Sequence, residues 1–104
     1  MSGAILETWV ISELLKSYWH NGQEPPFYCY RDREQREIDL LIVRDGVIHP
    51  LEIKRTASPG ARDMKAFRTL RSLPEPVGEG GVICLTQQSL PLAEGTASIP
   101  VGII

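Results

Sequence analysis

Two carboxylates and an ammonium group lie close together in the sequence, within residues 36–55. Asp39 comes first, and Glu52 and Lys54 follow later with a single residue between them. Carboxylate oxygens are the ligands that Mg²⁺ prefers, and Mg²⁺ takes few of them from a protein. A lysine beside them can orient a water molecule or stabilise the charge of a phosphate. These residues therefore indicate a divalent-metal site that acts on a phosphate. The alternative is a plain surface ion pair between Glu52 and Lys54.

The same stretch is predicted to fold as a β-hairpin. Residues 38–44 are rich in branched apolar side chains, Asp45-Gly46 is a tight-turn signal, and residues 47–54 form the return strand. Because side chains alternate along a strand, Glu52 and Lys54 share one face, and their apolar neighbours occupy the core face.

A helix precedes the hairpin and could supply a further acid. Apolar residues recur at helical spacing over Gly3–His20, and Asn21-Gly22 ends the pattern. Glu7 lies at the edge of the apolar stripe, where a carboxylate needs a cation, a metal or water. We regard Glu7 as a candidate for the metal site and expect an ion pair with an arginine for Glu13.

The remaining elements complete an α/β fold. The pattern predicts a strand at Phe27–Arg31, a helix over residues 61–73, a buried strand over 81–86, a loop over 87–97 and a strand over 98–104. A strand, a helix and another buried strand form a βαβ unit, so residues 81–86 should run parallel to residues 47–54. Pro100 predicts an edge position for the last strand. The order is α-β-β-β-α-β-β, a mixed sheet flanked by helices.

Length and composition describe one domain of 104 residues, 42% of them hydrophobic and 23% charged. No apolar run is long enough to span a membrane and no signal peptide opens the sequence, so we expect a cytoplasmic protein without a membrane partner. Cys29 and Cys84 lie far apart without metal-ligand spacing, and we expect reduced core residues.

The charge is distributed unevenly along the chain. The net charge is −2, yet residues 31–71 hold ten of the eleven Lys and Arg and seven of the thirteen acids. That basic segment surrounds the carboxylates and suits an anionic ligand. Arg62 and Lys65 follow the E-x-K strand closely and are candidate phosphate contacts. Arg31 could contact a phosphate or pair with Glu13, and Arg68 and Arg71 are expected to face solvent.

The D…E-x-K pattern of Asp39, Glu52 and Lys54 resembles the PD-(D/E)XK nuclease superfamily, and the element order resembles its restriction-endonuclease-like core. Glu7 resembles the helix-borne acid of archaeal Holliday-junction resolvases. The resemblance implies that Asp39 and Glu52 hold Mg²⁺ or Mn²⁺, with the Ile53 carbonyl as a third ligand and Glu7 as another, directly or through water. Lys54 would then orient the attacking water.

Longer motifs resemble a bacterial and archaeal domain of unknown function, DUF4143. They are LETWVISELLKS, FYCYRDREQREIDLLI, HPLEIKRTAS and IPVGII, in that order. That domain occurs at the C-terminus of AAA+-like P-loop ATPases, and this sequence has no phosphate-binding P-loop of its own. The resemblance implies that residues 1–104 form a single nuclease-like domain, the C-terminal part of a longer ATPase, with the ATPase domain as its partner.

Two functions follow as expectations. The first is metal-dependent hydrolysis of phosphodiester bonds in nucleic acid, with Arg31, Arg62 or Lys65 contacting the backbone without reading its sequence. A nuclease of this size is expected to form a homodimer or to borrow a DNA-binding partner. The second is a non-catalytic DNA- or protein-binding module of the ATPase, because a fold does not dictate an activity. A structural remnant without activity is the third possibility.

Overall fold

The computed structural model describes residues 2–93 and 95–104 and shows a six-stranded mixed sheet with a helix on each face. The elements are α1 (Gly3–His20), β1 (Phe27–Arg31), β2 (Glu37–Arg44), β3 (Val47–Ile53), a 3₁₀ helix (Ala61–Ser72), β4 (Gly80–Cys84), β5 (Pro91–Ala93), β6 (Thr96–Pro100) and a short 3₁₀ helix (Val101–Ile103). The strand order across the sheet is β1-β2-β3-β4-β6-β5. The predicted α/β fold class is therefore confirmed.

Helix α1 has the predicted bounds and covers one face of the sheet. Ser2 caps its first turn, since the Ser2 hydroxyl accepts a hydrogen bond from the Ile5 N–H at 3.2 Å. Leu6 and Val10 are buried against the sheet. Trp9 belongs to the predicted apolar stripe, but 42% of its surface is exposed, so the buried face is narrower than expected.

Strands β2 and β3 form the predicted hairpin. The turn residues Asp45 and Gly46 have φ values of 52° and 77°, which is the backbone conformation that a two-residue turn with the right twist requires. Strand β3 ends at Ile53, and Lys54 follows directly. The Lys54 N–H still donates to the Ile83 carbonyl of β4 at 2.9 Å, so the position of Lys54 is fixed by the neighbouring strand.

The parallel pairing of β3 and β4 confirms the predicted βαβ unit. Its crossover helix, Ala61–Ser72, is a 3₁₀ helix, however, and its backbone breaks at Met64 with φ −118° and ψ 17°. Its apolar side chains recur at every third position (Met64, Phe67, Leu70 and Leu73). A 3₁₀ helix has about three residues per turn, so this repeat forms one straight row that packs on the sheet. In an α-helix the same residues would spread around the cylinder.

The C-terminal strand does not lie at the edge of the sheet, contrary to the prediction. Strand β6 lies between β4 and β5, and β5 falls within the predicted loop of residues 87–97. Pro100 is compatible with this place because it is the last residue of β6, so its missing N–H interrupts no later pair. The strand at this edge of the sheet is β5, opposite the edge formed by β1. With three residues, β5 is too short to give a recognisable sequence pattern.

The core fills both faces of the sheet. Under α1, Leu6 and Val10 pack on Leu40, Leu51 and Ile53 among others. Under the crossover helix, two clusters form around Leu70 and Met64. Cys84 is buried as expected.

Cys29 is exposed, because it lies on the edge strand β1, whose residues are mostly uncovered. The thiols of Cys29 and Cys84 are both free. Among residues 2–93 and 95–104, no helix has both the length and the apolar character needed to cross a membrane.

Candidate functional site

Strand β2 contains a β-bulge at Asp39. Tyr28 pairs with Leu41, whereas Tyr30 pairs with Ile38, so two steps along β1 match three steps along β2. Asp39 lies within the segment that carries the extra residue. A bulge interrupts the regular pairing and re-aims a side chain, and bulges are frequent beside functional sites.

The two carboxylates complete the pairing of β2 with β3 where the regular ladder ends. Asp39 Oδ2 accepts a hydrogen bond from the Ile53 N–H at 2.8 Å. Glu52 Oε1 accepts one from the Asp39 N–H at 3.3 Å. These reciprocal bonds hold both carboxylates in place and satisfy backbone donors that lie beyond the last regular pair of β2 and β3.

Lys54 contacts this pair from the solvent side. Its Nζ lies 3.7 Å from Glu52 Oε2. The Lys54 side chain is 45% exposed, whereas that of Glu52 is only 7% exposed. The contact predicted from the E-x-K spacing therefore exists, but it joins a buried carboxylate to an exposed ammonium and is not a surface ion pair.

Burial raises the pKa of Glu52 to about 7, and the negative charge of Asp39 adds to the shift. Lys54 and the hydrogen bond from the Asp39 N–H act in the opposite direction. Glu52 consequently exchanges a proton near neutral pH. A cation placed beside Glu52 would favour its ionised form.

Glu7 of α1 belongs to the same electrostatic environment. Its pKa is raised by burial, then by the negative charges of Asp39 and Glu37, and is lowered by Lys54. In the part of the chain that the structure describes, however, no group of three or more His, Cys, Asp or Glu is arranged to hold a metal ion. The structure thus brings Asp39 and Glu52 together and leaves Glu7 outside a three-acid cluster.

Ile53 is in the predicted place between Glu52 and Lys54. Its side chain is buried under α1 on the opposite face of the sheet, and its N–H bonds Asp39. A role for its carbonyl as a metal ligand stays a prediction.

A basic cavity of about 840 Å³ opens between the carboxylates and the crossover helix. Glu52 and Lys54 line it, together with the two predicted phosphate contacts, Arg62 and Lys65. The other charged residues of its wall are Arg36, Glu37, Asp63, Arg68 and Arg71. Positive side chains outnumber negative ones, so the cavity suits an anionic ligand.

Several residues of this cavity were not predicted from the sequence. Arg68 and Arg71 are exposed, as expected, and they also line the cavity wall. The available signal was the strict three-residue repeat of the crossover helix, because that repeat places them in line with Arg62 and Lys65.

Arg31 is not placed at the cavity. It forms an ion pair with Glu37, its partner across β1 and β2, and both side chains are more than half exposed. Glu13 pairs with Lys16 at 3.3 Å instead of with an arginine. Both outcomes follow from proximity, since these partners are neighbours on paired strands or on one helix.

Comparison with known proteins places the chain in a family. A family model described as Domain of unknown function (DUF4143) matches residues 2–104. Neither the curated proteins nor the solved structures yielded a match. The family description states no activity, so the chemistry has to be inferred from the site.

Proposed function

The chain belongs to the family described as Domain of unknown function (DUF4143), and from its site we propose metal-dependent hydrolysis of phosphodiester bonds in nucleic acid. One observation carries the proposal: the buried Glu52 and the half-buried Asp39 form a hydrogen-bonded pair, and Glu52 meets Lys54 at the wall of a basic cavity. Asp39 is tied to the same strand by two hydrogen bonds, since its carboxylate accepts the Ile53 N–H and its own N–H donates to Glu52 Oε1. The resemblance of these residues to the PD-(D/E)XK nucleases supports the same reaction.

The donor set fits Mg²⁺ or Mn²⁺. One oxygen of each carboxylate, Asp39 Oδ2 and Glu52 Oε1, accepts a backbone N–H, and a metal would bind the second oxygen of each. Mg²⁺ keeps several waters and is commonly held by few carboxylates plus phosphate oxygens, so a third acid is not required. When bound, the metal supplies a water of lowered pKa and neutralises charge on the phosphate.

The residues of the chain position and balance these groups. The bonds between the carboxylates and the β2–β3 backbone fix the ligand oxygens before a substrate arrives, which avoids reorganisation during the reaction. Lys54 is exposed enough to reach a phosphate and close enough to Glu52 to orient a water between them. Arg62 and Lys65 bind the flanking phosphates, which fixes the register without base specificity.

Glu7 and Ile53 have supporting roles in this proposal. Glu7 is close enough to the site to respond to the charges of Asp39 and Lys54, and it would contribute through a water molecule. Ile53 would contribute its carbonyl. From the family resemblance we further propose an N-terminal ATPase domain as partner, a homodimer, and action in the cytoplasm.

A non-catalytic binding module is the second candidate function, and one observation favours it. Asp39 and Glu52 accept the N–H groups that follow the last regular pair of β2 and β3, so the fold alone accounts for both carboxylates. In that case the basic cavity binds its anionic ligand, and no metal produces cleavage.

The experiment is cleavage of labelled single-stranded, duplex and branched DNA and of RNA in Mg²⁺, in Mn²⁺ and in EDTA. The variants are Asp39→Asn and Glu52→Gln, because an amide oxygen still accepts the backbone N–H that an alanine would abandon. Asp45→Asn is the matched control. It removes one carboxylate from the exposed turn of the same hairpin, and asparagine tolerates the positive φ there.

The proposal expects metal-dependent cleavage by the wild type and by Asp45→Asn, and none by the two site variants. Cleavage by all four proteins would disprove the assigned site. Nucleic-acid binding without cleavage in either metal would establish the binding module instead.

A further inference from the structure

The crossover helix sorts its side chains into three rows. Residues three apart are eclipsed in a 3₁₀ helix, which has about three residues per turn. One row is apolar and begins at Met64, and a second is small or polar. The third row is entirely basic and consists of Arg62, Lys65, Arg68 and Arg71. We call this third row the cationic ridge.

The cationic ridge separates two cavities. All four of its residues line the cavity that contains Glu52 and Lys54. The same four residues also line a second cavity of about 740 Å³. Residues that border two cavities at once form the wall between them. The break at Met64 therefore does not remove Arg62 from the ridge.

The charges of the ridge are available to a ligand. Within residues 2–93 and 95–104, the ion pairs involve Lys16, Arg31, Arg36 and Lys54, and none involves a ridge residue. The nearest acid in sequence, Asp63, is engaged by the Gly60 N–H at 2.9 Å. All four ridge side chains belong to exposed residues.

The spacing of the ridge matches one extended strand. With a rise of about 2.0 Å per residue, the three cations after the break at Met64 (Lys65, Arg68 and Arg71) are about 6 Å apart and span about 12 Å. Successive phosphates of an extended single strand are separated by a similar distance.

The second cavity gives the bases a place to bind. Its wall includes Val77, which is 41% exposed, and the half-buried ring of Phe67, together with the buried side chains of Met64 and Pro50. Unpaired bases stack on aromatic and apolar side chains, whereas the bases of a duplex are already stacked inside it. A ridge of cations beside an apolar cavity therefore favours a single strand.

We propose that the cationic ridge binds single-stranded nucleic acid, with phosphates along the ridge and bases in the second cavity. The first cavity, on the other flank of the ridge, holds Glu52 and Lys54, so a bound strand presents its backbone to them. Only this last step rests on the proposed hydrolysis, because binding along the ridge needs no metal.

The test measures fluorescence anisotropy of labelled oligothymidylate, oligouridylate and a blunt duplex of equal length, in EDTA and over a range of salt. Four phosphate contacts to a single strand predict that affinity falls about 50-fold between 50 and 200 mM salt. For Lys65→Gln/Arg68→Gln, with two contacts left, we expect weaker binding and a fall of about sevenfold.

A position swap tests the row itself. Arg71→Ser/Ser72→Arg keeps composition and net charge but moves the last cation out of the ridge, and both positions are exposed. It should bind as weakly as Arg71→Ser. Arg68→Lys should keep the wild-type salt dependence, since it keeps the charge. Lys16→Gln is the control for loss of a distant positive charge.

Several results would disprove the proposal that the cationic ridge binds a single strand. They are wild-type binding by the swap, an unchanged salt dependence in the double variant, equal affinity for the duplex, and competition by polyglutamate as strong as by oligothymidylate. Tighter binding of oligothymidylate or of oligouridylate would identify the strand as DNA or RNA.

Hydrolysis and ridge binding can fail separately. Glu52→Gln should bind the oligonucleotides in EDTA at least as tightly as the wild type. Binding without cleavage would remove the nuclease proposal alone. If the double variant still cleaved and its binding kept the wild-type salt dependence, only the proposal that the ridge binds the strand would be disproved.

Discussion

The two faces of the sheet are covered by helices of different kinds and do different work. On one face, α1 buries Leu6 and Val10 in an apolar core. On the other, the crossover helix packs only its apolar row and leaves its basic row beside the cavity of Glu52 and Lys54. The first face is therefore covered by apolar packing, whereas the second leaves a basic cavity that is accessible to an anion.

The difference arises within single strands. In β3, Leu51 and Ile53 face the core under α1, whereas Glu52 between them and Lys54 after them face the cavity. Asp39 follows the last regular pair of β2 and β3, Leu40 with Leu51, and its carboxylate accepts the Ile53 N–H. The alternation of side chains along the paired strands therefore gives the open face its charged groups and the closed face its apolar core.

Matched truncations on the two faces should have the largest effect and separate stability from binding. Leu6 and Leu70 are both buried, and Leu6→Ala or Leu70→Ala should each lower the free energy of unfolding by about 2 to 5 kcal/mol. Leu70→Ala alone should also weaken oligothymidylate binding, because Leu70 seats the helix that carries the ridge. Denaturant unfolding and anisotropy in EDTA measure the two effects. Equal affinities in the two folded variants would refute the division between faces.

Replacing the Asp39 carboxylate should have a smaller effect that depends on the replacement. Asp39→Ala leaves the Ile53 N–H without its acceptor, and we expect a loss of about 1 to 3 kcal/mol in the free energy of unfolding. Asp39→Asn keeps an acceptor oxygen and should lose less. Urea unfolding of both variants decides the matter. If the two were equally stable, the hydrogen bond from the Ile53 N–H to Asp39 would not contribute to the free energy of unfolding.

A change of pH alone should also change the stability, because burial raises the pKa of Glu52 despite the opposing effects of Lys54 and the Asp39 N–H. Glu52 has a higher pKa in the folded chain, about 7, than its ordinary 4.5, so it binds its proton more tightly when folded. In EDTA, the free energy of unfolding should therefore fall as pH rises through that interval. Mg²⁺ should reduce the fall, since it favours the ionised carboxylate, and Glu52→Gln should flatten it. A rise in stability over the same pH interval in EDTA would contradict the buried Glu52.

Regular elements were predictable from the sequence, and irregular ones were not. Helix α1, the hairpin around Asp45-Gly46 and the parallel β3–β4 pair follow from periodicity and turn chemistry. The 3₁₀ geometry of Ala61–Ser72 was not predicted, because a repeat of three was interpreted as an α-helical stripe. The place of Arg68 at the cavity wall was not predicted for the same reason. The bulge has no sequence signature here, since it depends on the pairing of β2 with two neighbours.

The candidate site was predictable in its residue types and less so in its extent. Asp39, Glu52 and Lys54 are together as their spacing indicated, and Arg62 lies across the cavity from them. Arg31 was misplaced because its nearest acid, Glu37, lies on the paired strand and could not be identified without the register.

Cleavage of labelled single-stranded DNA and RNA in Mg²⁺ and Mn²⁺ by the wild type, Glu52→Gln and Asp45→Asn tests the central claim most directly. We predict cleavage by the wild type and by Asp45→Asn, and a rate lower by at least about 100-fold for Glu52→Gln, the scale on which a preorganised charge contributes. Binding in EDTA should be retained by all three. Equal cleavage by Glu52→Gln, or no cleavage by a wild type that still binds the strand, would contradict the claim that the open face is a hydrolytic site.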